Sequence, residues 1–218
     1  MIRTFLALVA IGFVGQVSAT DRSYTFVEFT YSHYENDTRS FDRADAAAKG
    51  LRGSFALGNS GAYLLGAYRD FEYDGFVLDT QPLIASRLVE VGAGYGYQLH
   101  PSADIVLELA QQRSSYESRR FDYVDFREVT DKLLSDSQRL SIGTRASFNE
   151  HVEATVKFSH FRNDRCDCSP SSYSLGLVAK VQRHLALTVE FERFLDHSLP
   201  GVFGGPGATL SAGLRASF

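Results

Sequence analysis

The sequence predicts an all-β fold: an antiparallel transmembrane β-barrel of about ten strands, with short periplasmic turns and longer extracellular loops. Two stretches at opposite ends of the chain carry that expectation. The last eleven residues, Ala208-Thr-Leu210-Ser-Ala212-Gly-Leu214-Arg-Ala216-Ser-Phe218, are apolar at every even position and polar or Gly at every odd one, and they close on an aromatic. Successive side chains of a strand point to opposite faces, so this is one strand with a lipid face and a wet face, ending at a membrane interface. At the other end, residues 1–19 read as a secretory signal. Arg3 supplies the positive region, Phe5–Val14 the apolar run, and Val17-Ser18-Ala19 a small-residue cleavage site before Thr20.

The apolar run of the signal is shorter than the roughly 20 residues a spanning helix needs, and no later stretch is longer. Export, no spanning helix and a β-alternating aromatic terminus together place the chain in a bacterial outer membrane, as a single barrel domain over residues 20–218. Composition agrees. There are 18 Gly, 17 Phe and 11 Tyr but no Trp, which suits strands packed against lipid. With Arg3 removed, the mature chain keeps 21 of the 22 basic residues against 26 acids. That balance excludes nucleic acid as the expected partner, since such a partner favours a basic patch.

A period of two recurs in ten segments, each with its apolar set on one face. Segment 23–34 turns Val27, Phe29 and Tyr31 outward and Glu28 inward; 46–57 turns Leu51, Gly53, Phe55 and Leu57 outward and Arg52 inward. Segment 62–73 is ambiguous, because Tyr63/Leu65/Ala67 and Leu64/Gly66/Tyr68 are both acceptable lipid faces. Odd residues from Val89 to Leu99 face lipid in 86–99, with Glu90 inside, and Ile105, Leu107 and Leu109 do so in 104–116, with Glu108 inside. Segment 137–148 places Leu140, Ile142, Ala146 and Phe148 outside and Arg139 and Arg145 inside. Segment 151–162 places Val152, Ala154, Val156 and Phe158 outside and Glu153 and Lys157 inside. The last three, 173–182, 185–196 and 207–218, put Lys180, Glu190, Glu192 and Arg215 on the wet face. Connections alternate short (58–61, 100–103, 149–150, 183–184) and long (35–45, 74–85, 117–136, 163–172, 197–206). All five prolines fall in connections, as central ladders require. A barrel of eight strands with two segments outside it is the alternative.

The inward set, six acids and six bases, is expected to pair across a narrow interior, because an unpartnered buried charge costs several kcal/mol and small barrels are filled by their own side chains. Glu28 and Arg52, on adjacent strands, form the first expected pair. The lumen is therefore expected to be plugged, with a narrow passive pore as the alternative. Continuing the outward registers toward the long loops brings Lys49, Arg87, Arg113, Arg162 and Arg193 to the lipid side, with Arg69 joining if Tyr63, Leu65 and Ala67 face out. Eight residues, at about 3.3 Å each and a tilt near 40°, climb roughly 20 Å. This basic belt should then meet the outer headgroups, where arginine suits lipopolysaccharide phosphates.

The 117–136 segment carries six acids and four bases interleaved with Phe121, Tyr123, Val124, Phe126, Leu133 and Leu134, and reads as a loop able to bind an extracellular ligand. The five long loops together sum to about −7, which disfavours polyanionic ligands. Cys166-Asp-Cys168 reads as a candidate disulfide in an oxidising compartment, with a metal site using Asp164, Asp167 or His160, or intermolecular pairing, as alternatives. No cofactor is expected. Enzymes are also built on such barrels. The nearest candidate groups are Asp196-His197, Asp42 with Asp45, and Ser159-His160, and none forms a recognisable dyad, since adjacent residues leave a strand on opposite faces.

The signal, the run Tyr24-Thr-Phe-Val-Glu-Phe-Thr-Tyr31, the segment Gly50-Leu-Arg-Gly-Ser-Phe-Ala-Leu-Gly58 and the final strand ending in Phe218 resemble the small bacterial outer-membrane barrels of the surface-protein and opacity-porin type. The resemblance spans the mature chain. It implies assembly by the barrel-insertion machinery, for which Leu210, Leu214 and Phe218 would be the insertion signal, and a surface role carried by loops. No catalytic residues come with it. The expected function is thus a non-enzymatic outer-membrane surface protein, serving envelope integrity and adhesin-like contact.

Overall fold

The computed structural model describes residues 24–36, 45–74, 77–78, 81–122, 127–164, 169–195 and 207–218. Every element among them is a strand: β1 (Phe26–Asn36), β2 (Asp45–Ala56), β3 (Ala62–Asp74), β4 (Val77–Leu78), β5 (Gln81–His100), β6 (Ala103–Asp122), β7 (Arg127–Ser147), β8 (Val152–Asn163), β9 (Ser171–Gln182), β10 (Leu185–Phe194) and β11 (Gly207–Ser217). The order β3-β2-β1-β11-β10-β9-β8-β7-β6-β5 is closed by pairing of β3 with β5, giving a barrel of ten antiparallel strands. The two-residue β4 only extends the outer end of β5, opposite Gln81 and Pro82. First and last strands meet along their full length, from Phe26 opposite Ser217 to Asn36 opposite Gly207. Closure removes every lipid-facing edge, as spanning strands require. The eight-strand alternative is thereby set aside.

The expected strand boundaries fail on one side of the barrel. β5, β6 and β7 run 20, 20 and 21 residues, so most of the expected loops 74–85 and 117–136 are strand. β6 and β7 stay paired as far as Asp122 opposite Arg127, whereas β7 pairs with β8 only from Ser137 opposite Asn163. Beyond the apolar band both faces of a ribbon are wet. The hydrophobic period then vanishes from the sequence, while the backbone ladder that satisfies N–H and C=O groups persists. The signal segment 1–19, the Cys166/Cys168 pair and Asp196-His197 lie outside the described residues.

The alternating faces follow the expected registers. Val27, Phe29, Leu51, Val91, Ile142, Leu177, Leu187 and Leu214 are all exposed on the outer wall, where they would be covered by acyl chains. β3 resolves its ambiguity with Leu64 and Tyr68 outward, at 50% and 42% exposure, and Tyr63 inward at 4%. Arg69 therefore points into the lumen and leaves the expected belt.

The choice has a steric cause on β5. A side chain on Gly94 would collide with the Tyr63 ring, and one on Gly96 with the Tyr24 ring. These glycines make a flat stretch of inner wall on which the two tyrosines lie stacked, with ring centroids 4.8 Å apart. We expect Gly94→Val to eject Tyr63 and reduce the heat-modifiable folded fraction after refolding. Tyr63→Ala in the same chain should restore it, as gel mobility of unboiled samples would show. Equal folding of Gly94→Val and the parent would contradict the packing.

Candidate functional site

The inward registers bring every charged residue expected in the lumen to its interior, and the side chains gather into three clusters. Glu28, with no exposed surface, lies at the seam between the first and last strands. Arg215 Nη2 reaches its Oε2 at 2.7 Å and Arg52 Nη2 its Oε1 at 2.8 Å, and the Thr188 hydroxyl donates to Oε1 at 2.9 Å. Arg52 extends the cluster through Nη1 to Glu190 Oε2 at 2.5 Å. These contacts follow from register: Glu28 is directly opposite Arg215 on one side and Arg52 on the other.

The second cluster centres on Arg139. Its Nε and Nη2 fork onto Glu90 at 3.0 and 2.7 Å, and Nη1 donates to Glu108 Oε2 at 3.0 Å. Gln112 donates to Glu90, Tyr63 Oη donates to Glu108 at 3.0 Å, and Lys157 Nζ lies 3.5 Å from Glu108. In the third cluster, at the short-turn end, Glu153 sits between Arg145 at 2.6 Å and Lys180 at 2.9 Å. Arg145 also lies over the Tyr24 ring, 5.1 Å from its centroid, and Tyr24 Oη donates to Asp104 at 3.0 Å. Glu192 accepts from the Ser172 hydroxyl at 2.8 Å.

A cavity of about 270 Å³ remains among these groups. Its wall includes Arg69, Gln112, Lys157, Glu190 and Glu192, with Tyr34, Phe71, Tyr116, Phe161 and Phe194 forming an aromatic collar toward the long-connection end. Arg69, Asp104, Gln112 and the tyrosines 24 and 63 were not among the expected lumen groups. Gly94 and Gly96 on β5, where an added side chain would meet the Tyr63 and Tyr24 rings, are the sign the sequence offers that rings fill this space.

On the outer wall, Lys49, Arg87, Arg113 and Arg162 are exposed where expected, and Arg193 is half-buried. Acids share the level with several of them. Arg113 forks onto Asp136 at 2.7 and 2.9 Å, and Arg87 lies 3.5 Å from Asp70, which also stands opposite Lys49 in register. On β2, β5 and β6 the belt thus faces acids of neighbouring strands. Leu210, Leu214 and Phe218 sit exposed on the outer face, and the Phe218 N–H donates to the Thr25 carbonyl at 3.1 Å across the closing seam. Ser159 and His160 diverge, the first hydrogen-bonded to Ser141 inside and the second to Ser171 outside.

No family model matches the chain, and no curated protein matches it. Solved structures do. The translocator domain of the autotransporter NalP from Neisseria meningitidis aligns with a TM-score of 0.56 at 8% identity, covering 100% of this chain and 95% of that one. The outer-membrane protease OmpT from Escherichia coli aligns with a TM-score of 0.53 at 11% identity, covering 94% and 99%. Neisserial surface protein A also matches, with a TM-score of 0.45 at 10% identity, covering 90% and 98%. The chain has the fold of bacterial outer-membrane β-barrels.

Removing one partner of a buried pair leaves the other charged and unsolvated, at about 3–5 kcal/mol. Arg52 links two carboxylates, so Arg52→Ala should lower the urea-unfolding free energy by about that amount. Adding Glu190→Gln should recover part of the loss, because the stranded charge is then gone. Strict additivity in this double-mutant cycle would show that the two groups are not coupled.

Proposed function

We propose that this protein is a non-enzymatic outer-membrane surface barrel with a plugged lumen, serving envelope integrity and contact with the environment. The observation that supports it best is the set of ion-paired clusters that crosses the interior from β1 and β2 to β10 and from β5 to β8. A through-pore would need these pairs to separate, each separation leaving charges in a narrow, poorly hydrated space. Contact is assigned to the β6–β7 ribbon, which continues ten residues past the last β7–β8 pair, roughly 34 Å of strand. Its Lys132–Glu117 ion pair suits a surface that meets water and solutes rather than acyl chains. Insertion is assigned to the barrel-assembly machinery acting on the last strand through Leu210, Leu214 and Phe218.

Refolded protein in planar bilayers should give no steady single-channel steps at moderate voltage. Regular conductance of a fixed size would overturn the plugged reading in favour of a narrow passive pore. Lipopolysaccharide contact is assigned to the β8–β10 sector, where Arg162 and Arg193 stand at the headgroup level. Neutralising Arg162 and Arg193 together should reduce lipopolysaccharide co-purification and the thermal stabilisation that added lipopolysaccharide confers. Neutralising Arg113, already held by Asp136, should change neither. Equal retention by all variants across a salt series would remove the lipopolysaccharide role from the belt.

A further inference from the structure

Arg69 is the lumen arginine that the clusters do not use. It lies on β3 between Gly50 of β2 and Leu88 of β5, and it lines the cavity. Arg52, Arg139, Arg145 and Arg215 each hold a carboxylate at 3.0 Å or less. Arg69 makes no hydrogen bond or ion pair among the described residues. The carboxylates that feel its charge, Glu90 and Glu190, are already committed to Arg139 and Arg52. Among the described lumen residues acids and bases balance, so the uncommitted guanidinium results from geometry rather than from a surplus of charge.

The path of the side chain is also specified. The Arg69 Cγ lies over Gly50, where an added Cβ would stand 3.2 Å from it and 2.6 Å from the Thr30 hydroxyl. The glycine thus leaves room for the stem along the wall.

We propose that the cavity is a binding site for a small polyhydroxylated anion of about sugar size, whose carboxylate or phosphate is held by Arg69. Arginine presents a planar fork that matches either group bidentately. The remaining wall suits the rest of such a molecule. Glu192, Gln112, Asn163 and nearby serines offer hydrogen-bond partners for hydroxyl groups, and the aromatic collar offers ring faces to the apolar side of a sugar ring. A volume of about 270 Å³ suits a single unit of this kind, since pockets for drug-sized ligands measure about 300–1,000 Å³. This site goes beyond the surface role, and its test is independent of conductance.

The test uses the refolded full barrel in detergent with three probes: glucuronate, glucose 6-phosphate and glucose. Isothermal titration and the heat-unfolding midpoint are read for each. One or both anions should bind and raise the midpoint, and glucose should do neither. Binding of glucuronate alone assigns a carboxylate ligand, and of glucose 6-phosphate alone a phosphate ligand. Arg69→Gln should weaken the binding at least about tenfold, while Arg183→Gln, in an exposed short turn, should leave it unchanged. Should Arg69→Gln fail to refold, Arg69→Lys keeps the charge without the fork and should still weaken binding about tenfold. The proposal is overturned if neither anion binds the parent protein, if glucose binds as well as they do, or if the refolded Arg69 variant binds them as the parent does.

Discussion

The ion pairing of Glu28 at the seam is the interaction on which the rest of the barrel depends. A carboxylate with no exposed surface is tolerable only if its charge is met on every side, and here the partners come from three other strands. Arg215 arrives from the last strand, Arg52 from the second and Thr188 from the tenth. The pairing therefore requires the two ends of the chain to be in register. A slip of one residue in β1 or β11 would turn Glu28 or Arg215 to the lipid, where an arginine costs up to about 2–4 kcal/mol at the midplane and a carboxylate, or any charge nearer the interface, costs less. Closure and charge burial are in this sense one constraint.

The same constraint organises the remaining lumen. Arg139 ties β7 to β5 and β6, Glu153 ties β8 to β7 and β9, and Arg52 ties β2 to β1 and β10. Some pairs join hairpin neighbours and others, such as Arg52 with Glu190, reach past them, so the polar side chains act as a set of cross-braces. Space left by the braces is filled by rings where the wall is glycine, as at Gly94 and Gly96. Where neither ring nor partner fills it, the cavity beside Arg69 remains.

Outside the band the barrel is asymmetric. β5, β6 and β7 rise well past their neighbours, and their outward charges, Arg113 with Asp136 and Arg87 with Asp70, neutralise each other across the ladder. The β8–β10 sector is shorter and keeps Arg162 and Arg193 at the rim. One barrel thus has two different outer surfaces, a long ribbon that outreaches its neighbours and a low rim that carries Arg162 and Arg193.

The sequence by itself determined the fold class, the ten barrel strands and the side on which each of the twelve expected lumen charges lies. It could do so because a period of two, sustained against lipid, leaves no freedom in which face a charge takes. Glu28 opposite Arg52 followed from the same rule, since neighbouring inward positions on paired strands must meet. It left open which face of β3 is inside, because Leu64/Gly66/Tyr68 and Tyr63/Leu65/Ala67 are equally apolar. Only the tertiary structure decided that, through the space above Gly94 on a strand about thirty residues away, and with it the placement of Arg69. It also decided the length of the β6–β7 ribbon and the pairing of Arg113 with Asp136. Both depend on backbone ladders between wet faces, where side-chain polarity carries no period to read.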